Sequence, residues 1–505
     1  MTDDSVYQFG FAQRVLVLIM VTLGTTIYTA TILVSSALLP QLQGAMSATQ
    51  DEISWVMTFN IVATAVATPA TGWVATRFGR RATMFWCALG FTFATFMCGA
   101  STSLEQLIGW RIVQGALGAP LVPLGQTILL DAFPRRQHGI VISIFGMANM
   151  IGPSIGPMFA GQIAEDYGWQ WGFWMVVPIA VAAAIGFRLV LPPDEPESVV
   201  KLDWTGFLTL SAGIAAAQLV FSRGQRLDWF DSGEIVIVTI IAGLALYMFI
   251  VHSLTVEKPF VSVRLMADRN YALGLVLVTL YGMLNFAPIV LLPPLLQQHA
   301  GFPESVIGTM IGWRGIGAAS GFCMAMFMGW MDARIALVIG SIIQVATGLW
   351  LMTFDLNVSA FDLNMNTCLQ GISIGVCWVP LTVITFSTLA PERRAEAMAM
   401  FHLLRNFGSS LFISVAVAEI VRASAANYAR MTEFISPYNR VLDLPWVMGA
   451  WSVDSLQGIA KIANEISRQA AMIGYVNAFV LYTLASAAVI PLCLLARMPR
   501  AEKPS

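Results

Sequence analysis

Charged residues are scarce in this sequence. Of its 505 residues, only 11% are Asp, Glu, Lys or Arg. A soluble protein usually carries about 25%, so this chain cannot cover a water-facing surface. Its 57% hydrophobic content and mean hydropathy of +0.73 instead indicate an integral membrane protein. The 27 Lys and Arg are offset by 29 Asp and Glu, and this lack of a basic excess excludes nucleic-acid binding.

Metal-binding and catalytic motifs are missing as well. The six cysteines all fall inside apolar runs, without a Cys-x-x-Cys pair or a Cys/His cluster of metal-ligand spacing. We interpret them as small buried apolar residues. The sequence has no recognisable Ser/His/Asp or Cys/His arrangement and no Walker loop, so we expect neither an enzyme nor a cofactor or metal site.

Long apolar runs dominate what is present. A spanning helix needs about 20 mostly apolar residues. Fourteen such runs occur, which predicts an all-α polytopic membrane protein with fourteen transmembrane helices. Numbered in chain order, runs 1 to 14 lie at about 15–39, 53–75, 83–102, 105–130, 139–163, 170–191, 203–222, 234–253, 272–293, 304–329, 334–353, 363–388, 396–420 and 472–495.

Basic residues predict the orientation of these runs, because they mark cytoplasmic loops. The loops after runs 1, 3, 5, 9 and 11 carry no Lys or Arg, so we expect both termini to be cytoplasmic. The loop after run 7 is an exception, since Arg223 and Arg226 would face outside. Loops after even-numbered runs carry Arg77, Arg80, Arg81, Arg135, Arg136, Lys258, Arg264, Arg269, Arg393 and Arg394.

Three stretches in the first five runs carry motifs. The turn between runs 2 and 3 contains two glycines and three cations, at Gly72, Arg77, Gly79, Arg80 and Arg81. On its own, this turn is equally consistent with a simple orientation signal. In run 4, Arg111 is followed by Gln114 and lies about 10 Å from the outer end of the run, at 1.5 Å per residue. A charge at that depth indicates a functional site.

Run 5 is rich in glycine and proline. These residues give a closely packing face that also bends, and they serve either packing or motion. They are Gly146, Gly152, Pro153, Gly156, Pro157 and Gly161.

In order and spacing, the three stretches resemble signature motifs of the major facilitator superfamily: G-x-L-x-D-R-x-G-R-R, R-x-x-Q-G and an antiporter pattern ending in G-P-x-x-G, although the last glycine here comes one residue later, at Gly161. Residues 169–173 and 404–410 are similar to further patterns of its fourteen-helix drug:proton antiporter group. Residues 118–124 and the long polar segment before run 14 resemble EmrB-type multidrug exporters.

The resemblance implies two six-helix halves and two extra helices that rock around a central site. The halves would comprise residues 1–191 and 271–505, with the extra helices in 192–270 and an outer loop at 421–471. Trp446 and Trp451 indicate that this loop lies on the membrane interface. The resemblance also implies exchange of hydrophobic or amphipathic compounds for protons across the inner membrane. A periplasmic adaptor protein and an outer-membrane channel would be the partners in a tripartite efflux pump.

The sequence departs from this family at acidic positions. Many members carry a proton-coupling aspartate in helix 1, where this chain has Thr31, and Thr76 replaces the aspartate of the loop motif. No acid lies near the middle of a run. Glu419 lies near an outer end, and Asp131 and Glu396 lie near inner ends.

Two further arginines lie deep in the runs. Arg314 is about 15 Å into run 10, and Arg405 is about 14 Å into run 13. A bare cation there costs at least about 2.5 to 3.5 kcal/mol, so each needs a partner or a wet cavity. One interpretation is that these arginines bond backbone carbonyls or side chains such as Gln114, Asn285 and Gln344. The other is that they line a positively charged substrate cavity suited to anions.

Histidine is the side chain that titrates near neutral pH. His402 lies about 9 Å into run 13, one turn before Arg405, and is either a proton carrier or a packed histidine. The other three, His138, His252 and His299, are expected on solvated surface.

The favoured function is proton-driven export of hydrophobic or amphipathic compounds. A dedicated exporter of one metabolite, such as a siderophore or fatty acid, is the alternative, and a scaffold that has lost transport is a third hypothesis. The Gly/Pro chemistry of run 5 argues against an immobile scaffold.

Overall fold

The computed structural model describes residues 9–193, 201–257, 259–328, 331–389, 393–436, 438–439, 441, 444, 451 and 455–495. Within these ranges all regular structure is helical, as expected. The α-helices are α1 Phe11–Ala45, α2 Gln50–Ala67, α3 Thr71–Phe78, α4 Arg80–Gly99, α5 Leu104–Gly118, α6 Leu121–Ala132, α7 His138–Tyr167, α8 Trp169–Trp174, α9 Val177–Val190, α10 Trp204–Arg223, α11 Gly233–Thr255, α12 Arg269–Pro294, α13 Glu304–Phe327, α14 Ala333–Leu351, α15 Ala360–Phe386, α16 Arg394–Thr432 and α17 Leu456–Leu494.

Each of the fourteen predicted runs contains helix, and three runs are each divided into two helices. The divisions fall between α2 and α3, α5 and α6, and α8 and α9. Pro69, Pro120 and Pro178 lie at these breaks, where a missing N–H donor weakens the helical ladder. Among the described residues, eleven helical stretches are long and apolar enough to cross a membrane, so the count of fourteen spans stays a prediction.

In the described parts of the segment predicted as an outer loop, 421–471, residues 421–432 and 456–471 are helical. Helix α16 continues to Thr432 and α17 begins at Leu456. Hydropathy locates the apolar part of a helix, whereas Ala, Arg and Met continue a helix without being uniformly apolar. The interfacial position of this segment stays a prediction, because Trp446 lies outside the described residues, although Trp451 is partly exposed.

The helices pack as two groups with defined contacts between them. In the first group α1 packs against α7 and α9, and α2 and α4 both pack against α5. In the second group α13 and α14 pack against α15, and α12 and α17 pack against α16. Contacts between the groups are made by α7 with α13 and α15, and by α3 and α6 with α16. Helix α10 packs against α2 and against α16, so it connects the groups on another side.

The helix pair α10 and α11 is closed at one end by a half-buried acid. Asp203 caps α10 by accepting a hydrogen bond from the Gly206 amide at 3.0 Å, and it accepts another from the Phe260 amide at 3.0 Å. His252 on α11 bonds the same carboxylate at 2.8 Å, so this histidine is paired, contrary to expectation. Burial raises the pKa of Asp203, but these hydrogen bonds outweigh burial and lower the pKa below its usual value.

At the other end, α10 contacts both groups. Arg223, an exception to the charge pattern of the loops, pairs with Glu234 and lies 4.3 Å over the ring of Trp55 on α2. Gln218 donates a hydrogen bond to Ser410 on α16 at 2.6 Å. Pairing with an acid reduces the effect of this cation on orientation.

A close helix contact in the second group is made by glycines of α13 and α15. Gly317 and Gly321 on α13 face Gly371 and Gly375 on α15. A Cβ built on Gly317 would overlap the carbonyl oxygen of Cys368. Association of helices in a membrane depends on such close packing, because lipid removes the hydrophobic driving force.

We therefore predict that Gly317→Val lowers the melting temperature of the purified protein, because overpacking costs about 1 to 3 kcal/mol or more. Gly312→Val is the matched control on the same helix, since a Cβ there would meet nothing within 4 Å. Equal melting temperatures for the two variants would contradict this account of the α13–α15 contact.

Candidate functional site

A buried carboxylate joins the two groups at one end of the bundle. Asp131, at the end of α6, is bonded by Arg80 at 2.6 Å and by Arg394, in the first turn of α16, at 2.7 Å. The Asp131 side chain is 1% exposed. We call this end, which carries the basic loops, the basic end. The geometry closes the bundle there, because a single acid holds cations from both groups.

The glycines of the loop motif shape this closure. Gly79 has a φ of +83°, which favours glycine and turns the chain so that α4 begins at Arg80. Gly72 lies against the backbone of Glu396, where a Cβ would come within 3.1 Å of the Glu396 Cα. Arg77 lies in the last turn of α3, and Arg81 bonds a backbone carbonyl of α9.

The Gly/Pro face of run 5 lies on a single helix, α7, which continues through Pro153 and Pro157. Gly152 and Gly156 pack against α1 inside the first group. Gly146 instead faces Phe322 of α13 and Trp378 of α15, across the boundary between the groups. The motif therefore serves packing in two directions.

Arg111 is enclosed within the first group and is 1% exposed. Its guanidinium bonds Ser35 at 2.8 Å, the carbonyl oxygen of Val56 at 3.3 Å and the side chain of Gln114. Gln114 in turn donates to Thr95 at 2.8 Å. This arrangement satisfies the cation with neutral groups, which is the first of the two interpretations.

Arg314 has an equivalent environment in the second group, where it is 5% exposed. It donates to the Gln370 side chain at 2.5 Å and to the carbonyl oxygen of Asn285. Gln370 continues the network to Asn366 at 2.6 Å, and Asn366 donates to the carbonyl oxygen of Thr347 at 3.0 Å. Asn285 was a predicted partner, whereas Gln344 bonds Tyr482.

Arg405 differs from both, because it is only half-buried and lies between the groups. It bonds the side chain of Asn406 at 3.1 Å and lies 5.6 Å from the centre of the Trp378 ring. Among the described residues no carboxylate lies within ion-pair distance of Arg405, so its charge is available to a ligand.

His402 lies one turn from Arg405 and is 3% exposed. Its Nε2 bonds Oε1 of Gln126 on α6 at 2.7 Å, which joins the two groups. The rings of Trp378 and Phe401 lie 5.9 and 5.8 Å from the imidazole. We call Gln126, Trp378, His402 and Arg405 the central cluster.

Two other predicted residues lie apart from the central cluster. Thr31 is buried in α1 and donates its hydroxyl to the carbonyl oxygen of Tyr28 at 2.7 Å, so it forms an ordinary intrahelical bond. Glu419 is half-buried at the contact of α16 with α17, where it accepts from Asn477 at 3.2 Å.

Gln126 and Asp131 were not predicted as site residues from the sequence. Asp131 carried one signal, an acid directly after the apolar residues Ile128 to Leu130 and next to a loop of opposite charge. Gln126 carried no distinguishing signal. Both depend on partners more than 250 residues away in the chain.

This arrangement, two helical groups around a buried polar boundary, is that of a membrane transporter. The profile of the Major Facilitator Superfamily matches residues 18–413. The multidrug export protein EmrB of Escherichia coli strain K12 is 31% identical over 85% of this chain and 84% of that protein. The fatty acid resistance protein FarB of Neisseria gonorrhoeae is 28% identical over 92% of each chain.

The fold is also similar to that of the proton:xylose symporter XylE, with a TM-score of 0.57 at 13% identity over 96% of this chain and 97% of that one. The chain therefore belongs to the major facilitator superfamily. It is a multi-pass membrane protein and not an enzyme. The resemblance to EmrB-type exporters inferred from its motifs is confirmed.

We predict that Asp131→Asn opens the basic end. Removing one partner of a buried ion pair costs about 3 to 5 kcal/mol, which shifts the closed population by about a hundredfold or more. Electron paramagnetic resonance distances would show the change, with spin labels at Phe78→Cys and Thr388→Cys in a cysteine-free background. Both positions are exposed at the basic end, one in each group.

Asp332→Asn is the matched control for this experiment. Its partner Arg334 lies 3.0 Å away, but both side chains are about one-third exposed, and a surface pair contributes about 0 to 1 kcal/mol. An unchanged distance distribution in Asp131→Asn would show that the bridge does not hold the basic end closed.

Proposed function

We propose that this protein is a secondary exporter that exchanges hydrophobic or amphipathic compounds for protons and favours anions or weak acids. Family membership and similarity to a multidrug export protein support efflux as the direction of transport. The single observation that carries the substrate preference is Arg405, a half-buried cation between the groups with neutral partners only among the described residues.

The surroundings of Arg405 suit an amphipathic anion. Coulomb attraction is several-fold stronger away from bulk water, so a fixed guanidinium at the boundary attracts a carboxylate or sulfonate. Trp378 and Tyr281 provide adjacent aromatic surface, with ring centres 5.2 Å apart. Aromatic walls with a few polar groups are the usual composition of a site for varied small molecules.

The basic end is assigned to the cytoplasm, because basic loops remain on that side. With this orientation, both termini are cytoplasmic and Asp131 closes the cytoplasmic side. We assign the protein to the inner membrane, with residues 1–191 and 271–505 as the two halves and 192–270 as the inserted pair.

A periplasmic adaptor protein and an outer-membrane channel are the proposed partners. On this assignment, the outer part of α16 extends about 18 Å past the predicted end of run 13, at 1.5 Å per residue. This extension and the start of α17 are the surface we propose for the adaptor.

A dedicated exporter of fatty acids is the second candidate. The relative FarB is named for fatty acid resistance, and a fatty acid is an amphipathic carboxylate that would suit Arg405 equally. Competition distinguishes the two functions: a multidrug exporter is inhibited by unrelated aromatic anions, and a dedicated one only by fatty acids.

We predict that proteoliposomes with an acidic lumen accumulate 1-anilinonaphthalene-8-sulfonate, a permanent anion. Arg405→Ala should reduce the uptake by about 10- to 100-fold, because a hydrogen bond to a charged group contributes about 1.5 to 3 kcal/mol. Arg405→Lys, which keeps the charge, should retain part of it.

The matched compound is N-phenyl-1-naphthylamine, which has the same rings without the sulfonate. Its transport should be nearly unaffected by Arg405→Ala. Equal loss of both compounds, or full retention of the anion, would contradict a charge-selective role for Arg405, and absence of any gradient-dependent uptake would contradict proton-driven export.

A further inference from the structure

His402 and Gln126 form a buried hydrogen bond between the two halves. It lies on the same α6–α16 contact as the Asp131 bridge, but deeper in the bundle. Each side chain also has a second polar nitrogen without a hydrogen-bond partner in the described part of the chain, Nδ1 of His402 and Nε2 of Gln126. A buried polar atom without a partner is uncommon in proteins, and this pair has one on each side of the contact.

We propose that His402 is the proton-binding group of the exchange and that a proton on its Nδ1 opens the contact between α6 and α16. This proposal rests on proton-driven export as the function. It assigns the coupling role to an imidazole in a chain that has a threonine, Thr31, at the position of the family's acid.

The hydrogen bond fixes the state of the imidazole when the contact is closed. Oε1 of Gln126 is an acceptor, so Nε2 of the neutral ring carries the hydrogen and Nδ1 keeps a free lone pair. A proton from the outer aqueous phase binds this lone pair and gives an imidazolium ion. The same proton later leaves to the cytoplasm, and no other covalent bond is made or broken.

Protonation is unfavourable while the contact is closed. The new Nδ1–H would be a buried donor with no acceptor, because no described group bonds that atom. The new charge would also lie one helical turn from Arg405, which interacts with His402 electrostatically. When the contact opens, water can solvate Nδ1–H, so proton binding and opening favour each other.

The other titratable groups on the packed elements do not compensate this charge. Asp131 of α6 is held by Arg80 and Arg394, and no described carboxylate lies within ion-pair distance of His402. The other titratable or charged side chains on helices packed against α16 include Arg77 on α3, Arg223 on α10, Tyr271 and Tyr281 on α12, and Tyr482 on α17.

The link between protonation of His402 and opening of the α6–α16 contact would couple proton entry to substrate export. Closure of the cytoplasmic side around a substrate requires a neutral His402, so the proton must first leave to the cytoplasm. Reopening toward the cytoplasm is favoured by a new proton, which enters from the outer side past the half-buried Arg405. Each cycle then moves a proton inward and a substrate outward.

The test uses the full-length protein in lipid nanodiscs without substrate. Spin labels at Phe78→Cys and Thr388→Cys report opening of the basic end between pH 8 and pH 5. We expect the open population to rise at least fivefold as the pH falls. His402→Gln, whose amide can still bond Gln126 but does not titrate, should change by less than twofold. Retention of the full pH response in His402→Gln would overturn the proposal. Absence of a pH response in the wild-type protein would overturn it as well.

His138→Gln is the matched control. This second histidine lies at the basic end itself and bonds the carbonyl oxygen of Phe133 at 2.9 Å. It should keep the pH response, and loss of the response here would move the role to His138 and overturn the proposal.

A second variant covers the case in which His402→Gln does not fold. Gln126→Leu removes the hydrogen bond but leaves His402 titratable, so the basic end should already be more open at pH 8. A closed Gln126→Leu protein at pH 8 would overturn the proposal. Since these measurements need no substrate, their outcome is independent of sulfonate uptake: uptake without a pH response removes the histidine mechanism alone.

Discussion

A single buried carboxylate, Asp131, determines how the two halves meet at the basic end. Arg80 from the loop motif and Arg394 from α16 would repel each other without it. Two charges of the same sign near a low-dielectric interior need an acid between them, so the closed form depends on this residue. The positive φ of Gly79 and the close approach of Gly72 to α16 also favour the closed form, because they bring the cations to the acid.

The α6–α16 contact combines two kinds of interaction along its length. Toward the basic end, the bonds of Asp131 are ionic and its carboxylate is buried. Deeper, the bond between His402 and Gln126 is neutral and leaves polar atoms unpaired. Ionic contacts favour one geometry strongly, whereas a neutral bond with spare donor and acceptor capacity is sensitive to one added proton. On the proposed mechanism, the ion pairs of Asp131 stabilise closure, and the bond between His402 and Gln126 makes closure depend on the protonation state of His402.

The other boundaries between the halves are built differently. Helix α7 meets α13 through Gly146 and Phe322, a close apolar contact between a glycine and an aromatic ring. On another side, α10 lies against both α2 and α16 and bonds Ser410 through Gln218. A rocking motion of the halves must therefore preserve or exchange the contacts of α10, which distinguishes this bundle from one with only six helices in each half.

Much of the fold could be predicted from the sequence, because apolar runs of membrane length report on local structure. The helix breaks at Pro69, Pro120 and Pro178 and the extension of α16 to Thr432 were missed, since hydropathy does not detect them. Some hydrogen-bond partners close in the sequence were predicted, such as Gln114 for Arg111.

The contacts between the halves could not be predicted in the same way. Asp131 and Arg394 are 263 residues apart, and Gln126 and His402 are 276 apart. A single sequence records which residues are present at these positions, but not which distant residues the fold brings together. Only the chemistry of each side chain could be stated in advance, and therefore His402 and Arg405 were named without their partners.

The distribution of positive charge has an energetic consequence for the proposed exchange. Arg111 and Arg314 are enclosed by neutral groups within the halves, so their guanidinium groups already have hydrogen-bond partners. Arg405, at the boundary, is the cation that we propose a substrate anion approaches. For exchange of one monoanion for one proton, two charges cross the membrane potential in the favourable direction. Each charge contributes about 2.3 kcal/mol per 100 mV, so the potential and the pH gradient drive export together, whereas a neutral substrate would use only half of the electrical part.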